Sequence, residues 1–461
     1  MSLLVRGARI VTANDDYVAD VFAEQETITT IGRDLTVHAD VVLEGAGLLL
    51  LPGGVDPHVH LDFPFGGTKT SDSVKSGTVA AAYGGTTTVV NFAQQLAGES
   101  LQSTLERALA NADGEAAVDY GYHLIVTALN SQTLPDLNFV GADGVTSVKL
   151  FMAYPGTVMV DDGTMFQILE RTGEIGTLCC VHAENGDVIE VLIRRALAAG
   201  HTAPSWHART RPELAESEAT HRAILLAEMA NAPIYFVHLS CEQALAEVTV
   251  ARDRGRPVFA ETCPHYLFLD DSVYDEAGGF DVAKFVLTPP LRAARHQDHL
   301  WRGLRNDDIS VVSTDHCPFC LTNQKSAGRG DFSKIPNGGP GVEHRLPLLY
   351  GRGVVPGHLT LRRMVDAFSS APARLFGLFP RKGTIAVGSD ADLVLFDPTA
   401  RQRLSAGSHH MNVDYSLYEG MEVAGVVRSV VSRGQLVVKE GRYVGAAGHG
   451  QYQRRGPSGD P

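Results

Sequence analysis

Leu50-Leu51-Pro52-Gly53-Gly54-Val55-Asp56-Pro57-His58-Val59-His60-Leu61-Asp62 is an apolar run that ends in two histidines separated by one valine. Leu50 to His58 reads as a buried strand, and alternate strand residues project to one face, so His58 and His60 can reach a single ion. Seven runs of the same kind follow: Thr86 to Asn91, His123 to Thr127, Val148 to Phe151, Leu178 to His182, Ile234 to His238, Val258 to Thr262 and Ile309 to Asp315. They alternate with helical stretches such as Leu101 to Ala112 and Asp187 to Ala199, the pattern of βα units and a parallel sheet. Eight such runs predict a closed, TIM-like (β/α)₈ barrel. Catalytic groups of such barrels collect at the C-terminal ends of the strands.

Five of the runs end in a residue that binds a metal or can become able to: His58 with His60, Lys149, His182, His238 and Asp315. A lone histidine at a strand end is more often a satisfied core residue, but four imidazoles and a carboxylate at equivalent strand positions predict one pocket. That donor set suits Zn²⁺ and permits Mn²⁺ or Co²⁺. Lys149 stands between Val148 and Leu150 in an apolar strand. Burial and nearby metal ions favour its neutral amine, which can add carbon dioxide to give a carbamate, an anionic ligand able to bridge two metals. The competing reading is a structural or substrate-binding lysine; two dications need more anionic compensation than Asp315 alone, which favours the carbamate.

The chain of 461 residues exceeds the roughly 250 of a bare barrel and leaves room for a second unit. Leu4 to Val11, Asp20 to Phe22 and Ile28 to Ile31 read as short strands, as do Gly383 to Phe396 and Val426 to Val438. The two chain ends are expected to complete a small β-sandwich, residues 1–52 and 380–445, around a catalytic barrel at 53–379. Residues 446–461 lack a core pattern and read as an arm or tail. A net charge of −14 disfavours nucleic acid and anionic membranes as partners. No apolar stretch approaches the ~18 residues of a spanning helix. Six cysteines give no disulfide framework and suit a reducing, cytoplasmic setting. Cys317 and Cys320 form a CxxC without the second pair that a structural zinc site needs.

Longer stretches carry a resemblance. Gly54 to Asp62, Val148-Lys149-Leu150-Phe151-Met152-Ala153-Tyr154, His182-Ala183-Glu184-Asn185-Gly186-Asp187, Glu261-Thr262-Cys263-Pro264-His265-Tyr266-Leu267, Ser313-Thr314-Asp315-His316-Cys317-Pro318-Phe319 and Ile335 to Glu343 resemble the cyclic amidohydrolases, in particular the dihydropyrimidinases and bacterial hydantoinases, over nearly the whole chain. The resemblance implies a binuclear centre in which His58, His60 and Asp315 hold one ion, His182 and His238 the other, and carboxylated Lys149 bridges both. It implies that Asp315 shuttles the proton, that Tyr154 donates its phenol to the developing oxyanion, and that backbone groups around Thr288 and Asn337 grip a cyclic ureide or imide. It also implies a homotetramer. Thr288 stands where the family usually has Ser, which is harmless if the backbone binds. Phe63, Phe65, Phe151 and the loop Pro155 to Met159, Met159 included, are expected to line the pocket for the ring substituent. Dihydroorotases resemble one another in placing an arginine two residues after the second histidine; here that residue is Asp62, which disfavours an anionic ring. A noncatalytic scaffold of the same fold would lack part of this residue set.

Overall fold

Eight parallel strands, each hydrogen-bonded to the next, run Gly54–Val59, Thr86–Gln94, Asp119–Ile125, Ser147–Phe151, Leu178–His182, Ile234–Phe236, Val258–Thr262 and Val311–Val312. They belong to a computed structural model that describes residues 1–276 and 278–458. The sheet closes on itself where Val59 bridges His316 and His60 N donates to His316 O at 2.8 Å. Its strands are apolar and buried on both faces because helices such as Leu101–Ala112 and Gly186–Ala198 cover the outside.

The first strand departs from its expected span. Leu50 to His58 is two strands: Leu49–Pro52 joins the chain-end sheet, and Gly54–Val59 opens the barrel. The junction needs glycine. A Cβ on Gly53 would lie 2.1 Å from Thr87 Oγ1, and one on Gly54 2.3 Å from the Phe368 ring. At the other end Ile309 to Asp315 contracts to Val311–Val312, and Gly383 to Ser389 is turn rather than strand, with Gly383 and Gly388 at φ 86° and 94°.

The two chain ends do meet. Their strands form one nine-stranded sheet in the order Arg442–Tyr443, Gln435–Lys439, Glu422–Ser432, Leu393–Arg403, Leu49–Pro52, Ser2–Val11, Asp16–Glu24 and Thr27–Gly32, with Val41–Glu44 also paired to Ser2–Val11. Strand alternation gives this sheet two apolar faces. Leu50, Leu393, Leu395 and Val431 pack with Leu3, Val5, Ile10 and Val21 in the sheet's own core. Leu49, Leu51, Val394, Phe396 and Val430 join the barrel core instead. A buried ion cluster pins the two units: Lys382 Nζ lies 2.7 Å from Asp119 at the start of a barrel strand, and 2.8 and 3.0 Å from Asp392 and Asp390.

Beyond Gly445 the chain lies against the barrel as an arm. Tyr452 bridges Tyr120, and Gln453 N donates to Tyr120 O at 2.7 Å. Buried Arg455 donates to Ser147 Oγ at 2.9 Å and to Tyr122 O. Residues 459–461 of the expected arm or tail lie outside the described residues. Among the described residues no helix is long and apolar enough to cross a membrane.

Candidate active site

The strand ends converge. His58, His60, Lys149, His182, His238 and Asp315 line one cavity together with Phe63, Phe65, Phe151, Tyr154, Thr288, Cys317, Asn337 and Gly338. His58 Nε2 and His60 Nε2 stand 3.2 Å apart, at 3.0 and 3.3 Å from Asp315 Oδ1. His182 Nδ1 faces His238 Nε2 at 3.0 Å. Lys149 lies between, 1% exposed, with Nζ at 5.0 and 5.3 Å from the ring centres of Phe151 and Phe92.

Three of these residues have left-handed backbones that their side chains disfavour: Tyr154 at φ 68°, His238 at 41° and Asp315 at 46°. Such strain, of order 1–3 kcal/mol each, persists where the surroundings fix it and clusters at functional sites. The turn at Asp315 ends the last strand early, which is why its carboxylate swings onto His58 and His60.

Buried acids and hydroxyls aim the imidazoles. His58 Nδ1 donates to Glu261, which also accepts from Tyr235 Oη at 2.8 Å and His238 N at 3.2 Å. His182 Nε2 donates to Glu184 Oε2 at 2.8 Å, and Arg211 holds the same oxygen at 2.9 Å. Each bond fixes a tautomer that leaves a ring lone pair facing the cavity. Burial holds the His60 imidazole down to about 4 and also lowers His182 and His238. His58 differs: burial pulls it down, but the carboxylates of Glu261 and Asp315 outweigh that pull and raise it to about 9, a demand for positive charge at Nε2 that a cation would meet in place of a proton. Burial pushes the Lys149 amine down to about 8.

The donor set fits divalent metal. Two imidazole nitrogens at 3.0–3.2 Å attract only if one carries a proton, whereas a cation at about 2.0–2.1 Å from each satisfies both lone pairs. His58, His238 and Asp315 offer three ligand atoms within 4.8 Å of one another. The innermost cavity measures about 40 Å³, room for ions and water but not for a ring with a substituent. An outer cavity of about 840 Å³ continues from it past Phe65, Tyr154 and Asn337, bordered by Thr157, Val158, Ile335 and Pro336.

Met159 is the expected lining residue that the structure places elsewhere. The turn at Tyr154, whose carbonyl accepts from the amides of Thr157, Val158 and Met159, carries Val158 into the aromatic cluster of Phe63, Phe92 and Phe151. Met159 goes over the start of the helix Gly186–Ala198, its Sδ 2.9 Å from where a Gly186 Cβ would be. Asp62 also turns away, accepting from Val74 N at 2.8 Å and pairing with Lys69. Sequence reasoning gave no role to Glu184, Glu261, Arg211 or Cys317. For Glu184 a signal existed, since it follows His182 by two residues.

A barrel whose strand ends bring four imidazoles, a lysine and an aspartate to one cavity defines an enzyme built to hold divalent metal. The chain belongs to the amidohydrolase family, which it matches over residues 49–437. A D-hydantoinase of Streptomyces coelicolor is 50% identical over 457 residues, covering 98% of this chain and 97% of that protein. The crystal structure of a dihydropyrimidinase from Brevibacillus agri superposes with a TM-score of 0.98 at 49% identity, covering 100% of both chains. An L-hydantoinase (dihydropyrimidinase) from Arthrobacter aurescens superposes at 0.90 with 28% identity, covering 98% of this chain and 99% of that one.

Proposed function

We propose that this protein is a binuclear metal-dependent hydrolase that opens dihydropyrimidines and 5-substituted hydantoins to N-carbamoyl amino acids. The observation that carries the proposal is the meeting of six donor residues with Tyr154, Thr288 and Asn337 around one cavity. His58, His60 and Asp315 would hold one ion, His182 and His238 the other, and a carbamate formed from the Lys149 amine and carbon dioxide would bridge them. Zn²⁺ is the expected metal, with Mn²⁺ or Co²⁺ as substitutes. When bound, the ions lower the pKa of a water and polarise the ring carbonyl.

Asp315 accepts the proton of the attacking water and delivers it to the ring nitrogen, which leaves poorly until protonated. Asn337 Nδ2 donates to the Tyr154 hydroxyl oxygen at 3.1 Å, and the same hydroxyl lies beside Thr288, so the phenol keeps its own proton to donate toward the oxyanion. Burial raises the Tyr154 phenol above its usual pKa, against the opposing charge of Arg211, and keeps it a donor. Tyr154→Phe is therefore expected to lower kcat on the order of 10²- to 10³-fold at unchanged metal content. An unaltered rate in that variant assigns Tyr154 to the rim alone.

The rim of Phe63, Phe65, Phe151 and Val158 is apolar, and the residue two past His60 is Asp62, which turns to Val74 N and Lys69 and offers a carboxylate no partner. Neutral rings are expected to lead, with dihydroorotate and allantoin slower by about tenfold or more because each would desolvate an unpaired polar group. The greater likeness to a D- than to an L-hydantoinase supports a preference for D-configured products. A kcat/KM panel on dihydrouracil, both enantiomers of a phenyl hydantoin, allantoin and dihydroorotate tests the reading, and a lead for either of the last two overturns it. A cytoplasmic homotetramer completes the proposal, supported by the resemblance and by six free thiols.

A further inference from the structure

Lys325 is 0% exposed and has no carboxylate partner among the described residues. Its Nζ donates to Val286 O at 2.8 Å and to Pro336 O at 3.0 Å. These carbonyls lie on the two separate segments that lead to Thr288 and Asn337. A third bond spans the same gap, from Gly338 N to Val286 O at 3.0 Å. Gly338 admits no other residue, since a Cβ there would lie 2.2 Å from Cys317 O. The next carbonyl, Leu287 O, accepts from His207 Nε2 at 2.9 Å.

The positions between these ties differ. Thr288 and Asn337 both line the inner cavity, and among the described residues neither backbone N–H has a hydrogen-bond partner. The carbonyls of Val286, Leu287 and Pro336 and the amide of Gly338 are fastened, while the amides of Thr288 and Asn337 are left open. We infer that Lys325 is a positioning residue that clamps the two segments so that the backbones of Thr288 and Asn337 stand at the spacing a cyclic imide requires.

The inference rests on the ring-hydrolase reading given above. Chemistry explains why lysine serves here. The clamp borders an apolar cluster of Ala283, Val286, Phe332 and Ile335, where a third ammonium hydrogen would go unpaired. Burial pushes the Lys325 amine down to about 7, and a neutral amine has two hydrogens for two carbonyls. Methionine would match its length but supply no donor.

Lys325→Met, assayed as the metal-loaded enzyme, is expected to raise KM for dihydrouracil on the order of 10- to 100-fold, with kcat within about threefold of the parent. Backbone groups that grip the ring equally in ground and transition states affect KM in this way. Amide hydrogen exchange should quicken at Val286 and Gly338, the hydrogen-bonded amides of the two clamped segments, while metal content holds. Lys325→Gln, which retains one donor group, should fall between and decides the matter if the methionine variant does not fold. A variant that loses thermal stability but keeps the parent KM and the parent exchange at Val286 and Gly338 makes Lys325 a plain stabiliser and overturns the inference. If the unsubstituted protein opens no ring at all, the hydrolase reading fails, and exchange at these amides alone judges the clamp: unchanged rates overturn it.

Discussion

Lys149→Ala is expected to retain about one divalent ion per chain or fewer, against about two in the parent, and to lose roughly 10⁴-fold or more in kcat/KM. The argument starts from burial. Lys149 is 1% exposed in the middle of Ser147–Phe151, its Nζ makes no hydrogen bond to any described residue, and its amine is pushed down to about 8. A lysine so placed, between two histidine pairs, serves no ion-pairing purpose. As a carbamate it would supply the negative charge that two dications and one aspartate lack. Formate, acetate or propionate added to Lys149→Ala should restore part of both metal content and turnover, since a small carboxylate fits the space vacated. An intact mass showing unmodified Lys149 in fully active, metal-loaded protein refutes the bridge.

Asp315→Asn is expected to be at least as damaging, because one carboxylate has two duties. It stands 3.0 and 3.3 Å from His58 and His60, where it would complete the proposed first ion's ligands, and it lines the cavity where the ring nitrogen would be protonated. Losing general acid–base catalysis alone removes about 10²- to 10⁴-fold, and weaker metal binding compounds it. Raising the metal concentration should recover the second loss and not the first. If saturating Zn²⁺ returns Asp315→Asn to the parent rate, the proton passes through another group.

The convergence of these side chains on one cavity was legible because most of them stand at or near the end of an apolar run, so that position along a strand and chemistry along the chain coincide. Leu178–His182 and Val258–Thr262 fall where the text places them. Less legible were features that depend on partners distant in sequence. Glu261 matters through His58, 203 residues away, and Lys325 through Val286, 39 residues away. The break at Gly53 is invisible locally, since Leu51 and Val55 are equally apolar and only Thr87 and Phe368 divide them between two sheets. Met159 was misplaced because the turn at Tyr154 reverses which of two adjacent residues faces inward. The arm was illegible for a different reason: it is held by backbone bonds and one buried arginine rather than by a periodic apolar face.

The pairing of Leu49–Pro52 with Leu393–Phe396 has a consequence during synthesis. Ribosomes add on the order of 5–20 residues per second. The early strand therefore emerges on the order of 20–70 s before its partner, with Leu49, Leu50 and Leu51 on an open edge of a kind that recruits other strands. Until the barrel has been made, the strand that pairs with that edge has not been synthesised. Yield in a heterologous host should thus depend on holdase chaperones more steeply than the stability of the finished protein suggests, and slowing translation should worsen recovery rather than improve it.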